Sequence, residues 1–166
     1  RQFYLEQARM FVWGMQPTIA NFRPNQLTER RVQIDYFERL AKLRYGMREC
    51  FQNGTYLRAP AIDVPSTDIL LSRISIYAAR LGGPIEAHTI SPEVLSGAWK
   101  SVNGRIAVAL ASISPDSVTA TMNLPSRPYG LGPSTRVVRH DDTGIHQLGS
   151  LGKLGRSVKV KFAPLQ

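Results

Sequence analysis

The hydrophobic period of the chain changes at Asn53-Gly54, and this change limits the folds open to it. Before that point apolar residues recur at helical spacing. After it they alternate with polar residues, and prolines at 60, 65 and 84 mark the transition. Helices first and strands second predict an α+β chain, with a boundary between residues 1–58 and 59–166.

In the first part, Tyr4, Ala8, Phe11 and Val12 predict a helix over residues 2–13 that stops at Gly14. Gln16 to Phe22 is apolar but too brief for a helix, so it predicts a buried strand, broken by Arg23-Pro24-Asn25. A long helix is predicted from an N-cap at Thr28, with Glu29 and Asp35 early in it. Its stripe of Tyr36, Leu40, Leu43, Met47 and Cys50 advances in steps of four and three, leaving Arg39, Lys42 and Arg44 to face water or a neighbouring element. Asn53-Gly54 is the expected left-handed stop. Helix, strand, loop and helix follow one another as in a βα repeat. One such unit cannot cover both its strand edges and its helix stripe. Apolar surface is therefore expected around Phe11, Val12, Ile19 and Phe22, to be met by other barrel staves or another chain.

The second part predicts seven or eight short strands, which is sandwich composition. Strands are expected over 72–77, 85–90, 94–100 and 105–113, the last two joined by Asn103-Gly104, a strong hairpin signal. Ile106, Val108 and Leu110 share one face and Ala107, Ala109 and Ala111 the other, as in a central strand covered on both sides. Val118 to Leu124 alternates with one wet face. Further strands are expected over 135–139, 145–148 and 157–162, with a turn at Asp141-Asp142-Thr143-Gly144. Gly149 to Gly155 is glycine-rich but lacks phosphate-loop spacing, and reads as a hairpin connection.

Charge and cysteine use exclude several classes. The net charge of +9 is spread evenly: ten Lys/Arg and five Asp/Glu lie in residues 1–60, against eleven and seven in 61–166. Nucleic-acid binding needs the excess gathered on one surface, so no nucleic-acid partner is expected. No apolar run approaches the ~20 residues needed to cross a bilayer, so neither is a membrane. The single cysteine, Cys50, reads as a small core residue. The opening Arg1-Gln-Phe-Tyr-Leu-Glu begins inside a predicted element, as expected of a piece of a longer protein with any targeting signal upstream.

The stretch Ala8-Arg-Met-Phe-Val-Trp-Gly-Met-Gln-Pro-Thr-Ile-Ala-Asn-Phe22 resembles the last barrel strand region of a poorly characterised group of bacterial glycoside hydrolases. Val94-Leu-Ser-Gly-Ala-Trp-Lys100 and Asn103-Gly-Arg-Ile-Ala-Val-Ala-Leu-Ala-Ser-Ile113 are similar to the hairpin that opens their C-terminal sandwich. The resemblance implies the end of a (β/α)8 barrel followed by an antiparallel β-sandwich. It also implies a carbohydrate substrate acting through the complete enzyme, and a secreted or periplasmic setting. Barrel glycosidases carry two carboxylates at strand ends. Gln16 to Phe22 has none, so the catalytic pair is expected upstream.

Trp13, Gln16 and Asn21 are then the candidate substrate-binding residues: an indole stacks on a sugar ring, and amides bridge hydroxyls. No catalytic residue, metal ligand or cofactor is assigned. His88, His140 and His146 are scattered, His140-Asp141-Asp142 reads as a solvated turn, and no Gly-x-Ser-x-Gly elbow occurs. A non-catalytic carbohydrate-binding sandwich is the alternative. It would need exposed aromatics in a row, for which Tyr77, Trp99 and Tyr129 are the main candidates; Trp99 reads instead as core.

Overall fold

The structure is a computed structural model that describes residues 1–72 and 86–166. Four helices come first: α1 (Gln2–Val12), the single turn α2 (Gln26–Glu29), α3 (Arg31–Gly46) and the single turn α4 (Arg48–Phe51). Strands follow as β1 (Thr55–Leu57), β2 (Ile62–Asp63), β3 (Ser66–Ser72), β4 (Glu86–Pro92), β5 (Val94–Lys100), β6 (Ile106–Ser112), β7 (Val118–Leu124), β8 (Arg136–Asp141), β9 (Gly144–Ser150) and β10 (Arg156–Phe162). Among the described residues they pair only antiparallel, in the orders β1-β5-β6, β10-β7-β2, β3-β4 and β8-β9. The chain is thus α+β and mostly sheet. No described helix is long and apolar enough to cross a membrane.

The helix signals are realised closely. α1 ends in a Schellman motif: Met15 N–H donates to the Met10 carbonyl at 2.8 Å and Gly14 N–H to the Phe11 carbonyl at 3.0 Å, with Gly14 left-handed at φ 69°. The α3–α4 stripe points inward, burying Tyr36, Leu40 and Cys50, with Leu43 and Met47 packed against them. Two details differ. Thr28 is no cap; it lies inside α2, its hydroxyl donating to the Asn25 carbonyl, and α3 starts only after Arg30. Gly54 is not left-handed. Space requires it, since a Cβ there would overlap the Cys50 carbonyl oxygen.

The strand expected over Gln16 to Phe22 does not form. Residues 13–25 are turns and irregular chain. Pro17 lacks an N–H, Asn21 turns left-handed at φ 55°, and no described strand runs alongside to pair with. The expected apolar surface is also largely closed. Phe11 is 4 % and Val12 1 % exposed because α1 lies on β5 and β6; Ile19 is half-buried and Phe22 exposed.

β5 and β6 explain that closure. Their loop is a type I turn completed by left-handed Gly104: Gly104 N–H donates to the Ser101 carbonyl at 3.0 Å and Ser101 N–H to the Arg105 carbonyl at 2.9 Å. Ala107, Ala109 and Ala111 face α1, and these small side chains admit the helix into the main core with Leu5, Ala8 and Phe11. Leu110, on the other face, joins a second cluster with Val94, Val118, Ala120 and Phe162. β6 is covered on both faces as expected, but it is an edge of its three-stranded sheet and β5 is the centre. The strand expected over 72–77 lies outside the described residues beyond Ser72, as does the start of that over 85–90.

Candidate functional site

Trp13 is the C-cap of α1 and stands 51 % exposed beside a cleft of about 390 Å3. Arg9 from the last turn of α1, Ile62 and Val64 at β2, and Ser91 and Ser96 from β4 and β5 line it with the indole. Trp13 holds this place because the Schellman turn at Gly14 ends the helix one residue later and sends the chain away.

The loop after Trp13 is fixed from both sides. Arg44 on α3 donates from Nε to the Met15 carbonyl at 3.0 Å and from Nη2 to the Gly14 carbonyl at 3.1 Å. Gln7 on α1 donates from Nε2 to the Thr18 carbonyl at 3.2 Å. Gln16 and Asn21 are exposed on this loop. They share it with Trp13 but do not line the cleft, so the structure joins the three candidates through one loop rather than one pocket. Arg9, Ser91 and Ser96 carried no sequence signal, because their positions depend on the end of α1 meeting the middle of β5 at Gly97. Arg44 was legible only as a polar residue beside the α3 stripe.

An exposed indole can stack on the apolar face of a sugar ring. Beside it Ser91 is buried with its hydroxyl donating to the Pro92 carbonyl, which leaves Arg9 and Ser96 as the polar residues that can meet sugar hydroxyls. The other aromatic candidates are placed differently. Trp99 is 8 % exposed, donates from Nε1 to the Val12 carbonyl at 3.0 Å, and meets Phe51 and Tyr56 edge-on. Tyr129 is buried with its hydroxyl donating to the Arg58 carbonyl at 2.9 Å. Tyr77 lies outside the described residues.

The turn between β8 and β9 is the strongest electrostatic cluster described. Asp141 Oδ1 accepts from Thr143 N–H at 2.9 Å and from its hydroxyl at 2.6 Å, with His146 Nε2 at 3.2 Å and Arg139 Nε 2.8 Å from Oδ2. Burial pushes the Asp141 carboxyl up, but the Thr143, His146 and Arg139 interactions outweigh it and bring its pKa down to about 2. His88 pairs with Asp68 at 2.7 Å. Among the described residues, no three His, Cys, Asp or Glu side chains gather as a metal site.

Comparison with known proteins finds no matching family model, no similar curated protein and no similar solved structure.

Proposed function

We propose that the chain is the C-terminal portion of a carbohydrate-active enzyme of the glycoside hydrolase class. In this reading the (β/α)8 barrel and its catalytic carboxylates lie outside the chain, residues 59–166 form an antiparallel β-sandwich that braces it, and residues 1–58, whose expected barrel strand does not form, join the two. The loop from Trp13 to Asn21 contributes sugar contacts, with Gln16 and Asn21 as amide ligands. The supporting observation is Trp13: a large aromatic left half in water, on a loop held by Arg44 and Gln7, beside a cleft that Arg9 and Ser96 also line.

The two tryptophans make the reading testable. Titrating the chain with a panel of soluble oligosaccharides, while following tryptophan emission, should give a saturable change for at least one sugar. Trp13→Phe should abolish it, and Trp99 should contribute nothing because it is already shielded. Emission that stays constant across the panel, or responds equally in Trp13→Phe, removes the proposal.

A further inference from the structure

A second and larger cavity, about 820 Å3, lies between α3, the sheet ending in β6, the β7–β10 pair and the β8–β9 hairpin. It shares no lining residue with the Trp13 cleft. Its walls are mainly apolar: Leu40, Leu43 and Met47 from α3, Val108 from β6, Leu124 from β7 and Val137 from β8. Well-packed interiors leave few voids larger than a water molecule. A space this size belongs instead to the range of small-molecule sites, roughly 300–1,000 Å3.

The polar groups at the cavity are biased in sign. Arg39, Arg105, Arg136 and Arg139 line it, against Asp141 and Asp142. Arg105 is paired with Glu49 and Arg139 with Asp141. Among the described residues Arg136 has no carboxylate partner. Arg39 donates from Nη2 to the Leu165 carbonyl at 2.7 Å, while its Nε is buried with no hydrogen-bond partner. Arg39 and Arg136 thus bring positive charge to the cavity that no ion pair among the described residues offsets. One wall is the β8–β9 hairpin, in which no residue is fully buried and which pairs with no other described strand, so it is held to the rest of the chain by side-chain contacts such as that of Gln166 with Asp142.

We infer that this cavity binds a single-chain amphipathic anion, its hydrocarbon tail against Leu40, Leu43, Met47 and Val108 and its head group at Arg39 and Arg136. An aliphatic carboxylate and a single-chain phosphate ester share this chemistry, and a Trp13-bound sugar does not.

The test is calorimetric titration of the purified chain with laurate, dodecyl phosphate, dodecanol and dodecyltrimethylammonium, all below micelle formation. One-to-one binding of an anion is expected, with the alcohol and the cation weaker by about tenfold or more, as loss of a charge-assisted hydrogen bond implies. Whichever anion binds tighter identifies the head group as carboxylate or phosphate. Arg39→Gln combined with Arg136→Gln should weaken anion binding by a similar factor and leave dodecanol unchanged. Val108→Phe, at a position belonging to neither packed cluster, should fill the space and weaken every ligand. If Val108→Phe does not fold, the arginine pair decides. Equal binding of all four ligands, no saturable binding of either anion, or anion affinity unchanged in the arginine variant would overturn the inference.

Discussion

The carbonyl oxygen of Val12 presses so closely on Gly97 that a Cβ there would overlap it, and Trp99, two residues on, donates its indole N–H to the same oxygen at 3.0 Å. The end of α1 and the middle of β5 thus meet backbone to backbone. Two residues of opposite size serve the contact: a glycine admits the helix and a tryptophan satisfies its last carbonyl. Gly97→Ala should therefore destabilise the chain by at least the ~1–3 kcal/mol typical of overpacking, because the clash is with main chain and not a pliable side chain. Urea denaturation checks this, with Gly132→Ala as control: nothing lies within 4 Å of a Cβ there and its φ is not positive, so its midpoint should not move.

Cys50 should be inert in the folded state. It is buried in the α3–α4 stripe, burial pushes its thiol up, and neighbouring Glu49 pushes the same way against a smaller opposing effect of Arg105. The thiolate is the reactive form, so an aromatic disulfide reagent should label the native chain slowly and the urea-unfolded chain at once. Equal rates in both states would show that α4 opens readily.

Tyr36 anchors α3 to the far end of β6 through a buried hydrogen bond to the Ser112 carbonyl, 3.0 Å long. Tyr36→Phe keeps the ring and leaves that carbonyl unmatched, so it should cost about 1–3 kcal/mol. Burial raises the Tyr36 phenol well above its ordinary range, reinforced by Tyr4 and opposed by Arg39. A neutral group whose pKa is raised by folding stabilises below its unfolded value, near 10.0, and loses that contribution as pH rises beyond it. Wild-type stability should fall in alkaline solution more steeply than that of Tyr36→Phe, as measured by urea midpoints across that range.

Asp141 gives the opposite sign. Its folded pKa of about 2 lies below the model-peptide value of 3.8, so its stabilisation is complete above about pH 4 and is lost as pH falls toward 2. The loss amounts to ~2 kcal/mol at most, confined to the β8–β9 turn. Asp141→Asn should flatten this acid dependence. Amide exchange in the hairpin, followed between pH 4 and 2, should accelerate in wild type and change little in the variant.

Much of this architecture could be read where local chemistry and tertiary packing agree. Gly14 ends α1 for the reason its sequence position suggests, the α3 stripe from Tyr36 to Cys50 faces the core, and Asn103-Gly104 closes its hairpin. Gln16 to Phe22 misled because its apolar run needs a neighbouring strand to become one, and the described chain supplies none. β6 misled in a different way. An apolar pattern on both faces reports covering layers, and those are α1 and the second cluster, not flanking strands. At the candidate site, Trp13 was a candidate through the resemblance to a barrel mouth, and the structure places it at the end of a helix. Arg9, Ser91 and Ser96 could not be chosen, since the contact that gathers them is the backbone approach of Val12 to Gly97.

The same geometry assigns opposite consequences to the two tryptophans. Trp99 is enclosed by Phe51 and Tyr56, with ring centroids 5.5 and 4.9 Å away, and carries a buried hydrogen bond. Trp99→Ala should cost ~3–5 kcal/mol through the cavity it opens and the carbonyl it strands. Trp13 has half its surface in water and caps a helix whose backbone is already satisfied by Gly14 and Met15, so Trp13→Ala should cost under ~1 kcal/mol. Acrylamide should quench the native chain in two components, of which the accessible one disappears in Trp13→Phe. A Trp13→Ala variant as unstable as Trp99→Ala would mean that the indole holds the fold, and the cleft beside it would lose its principal candidate for ligand contact.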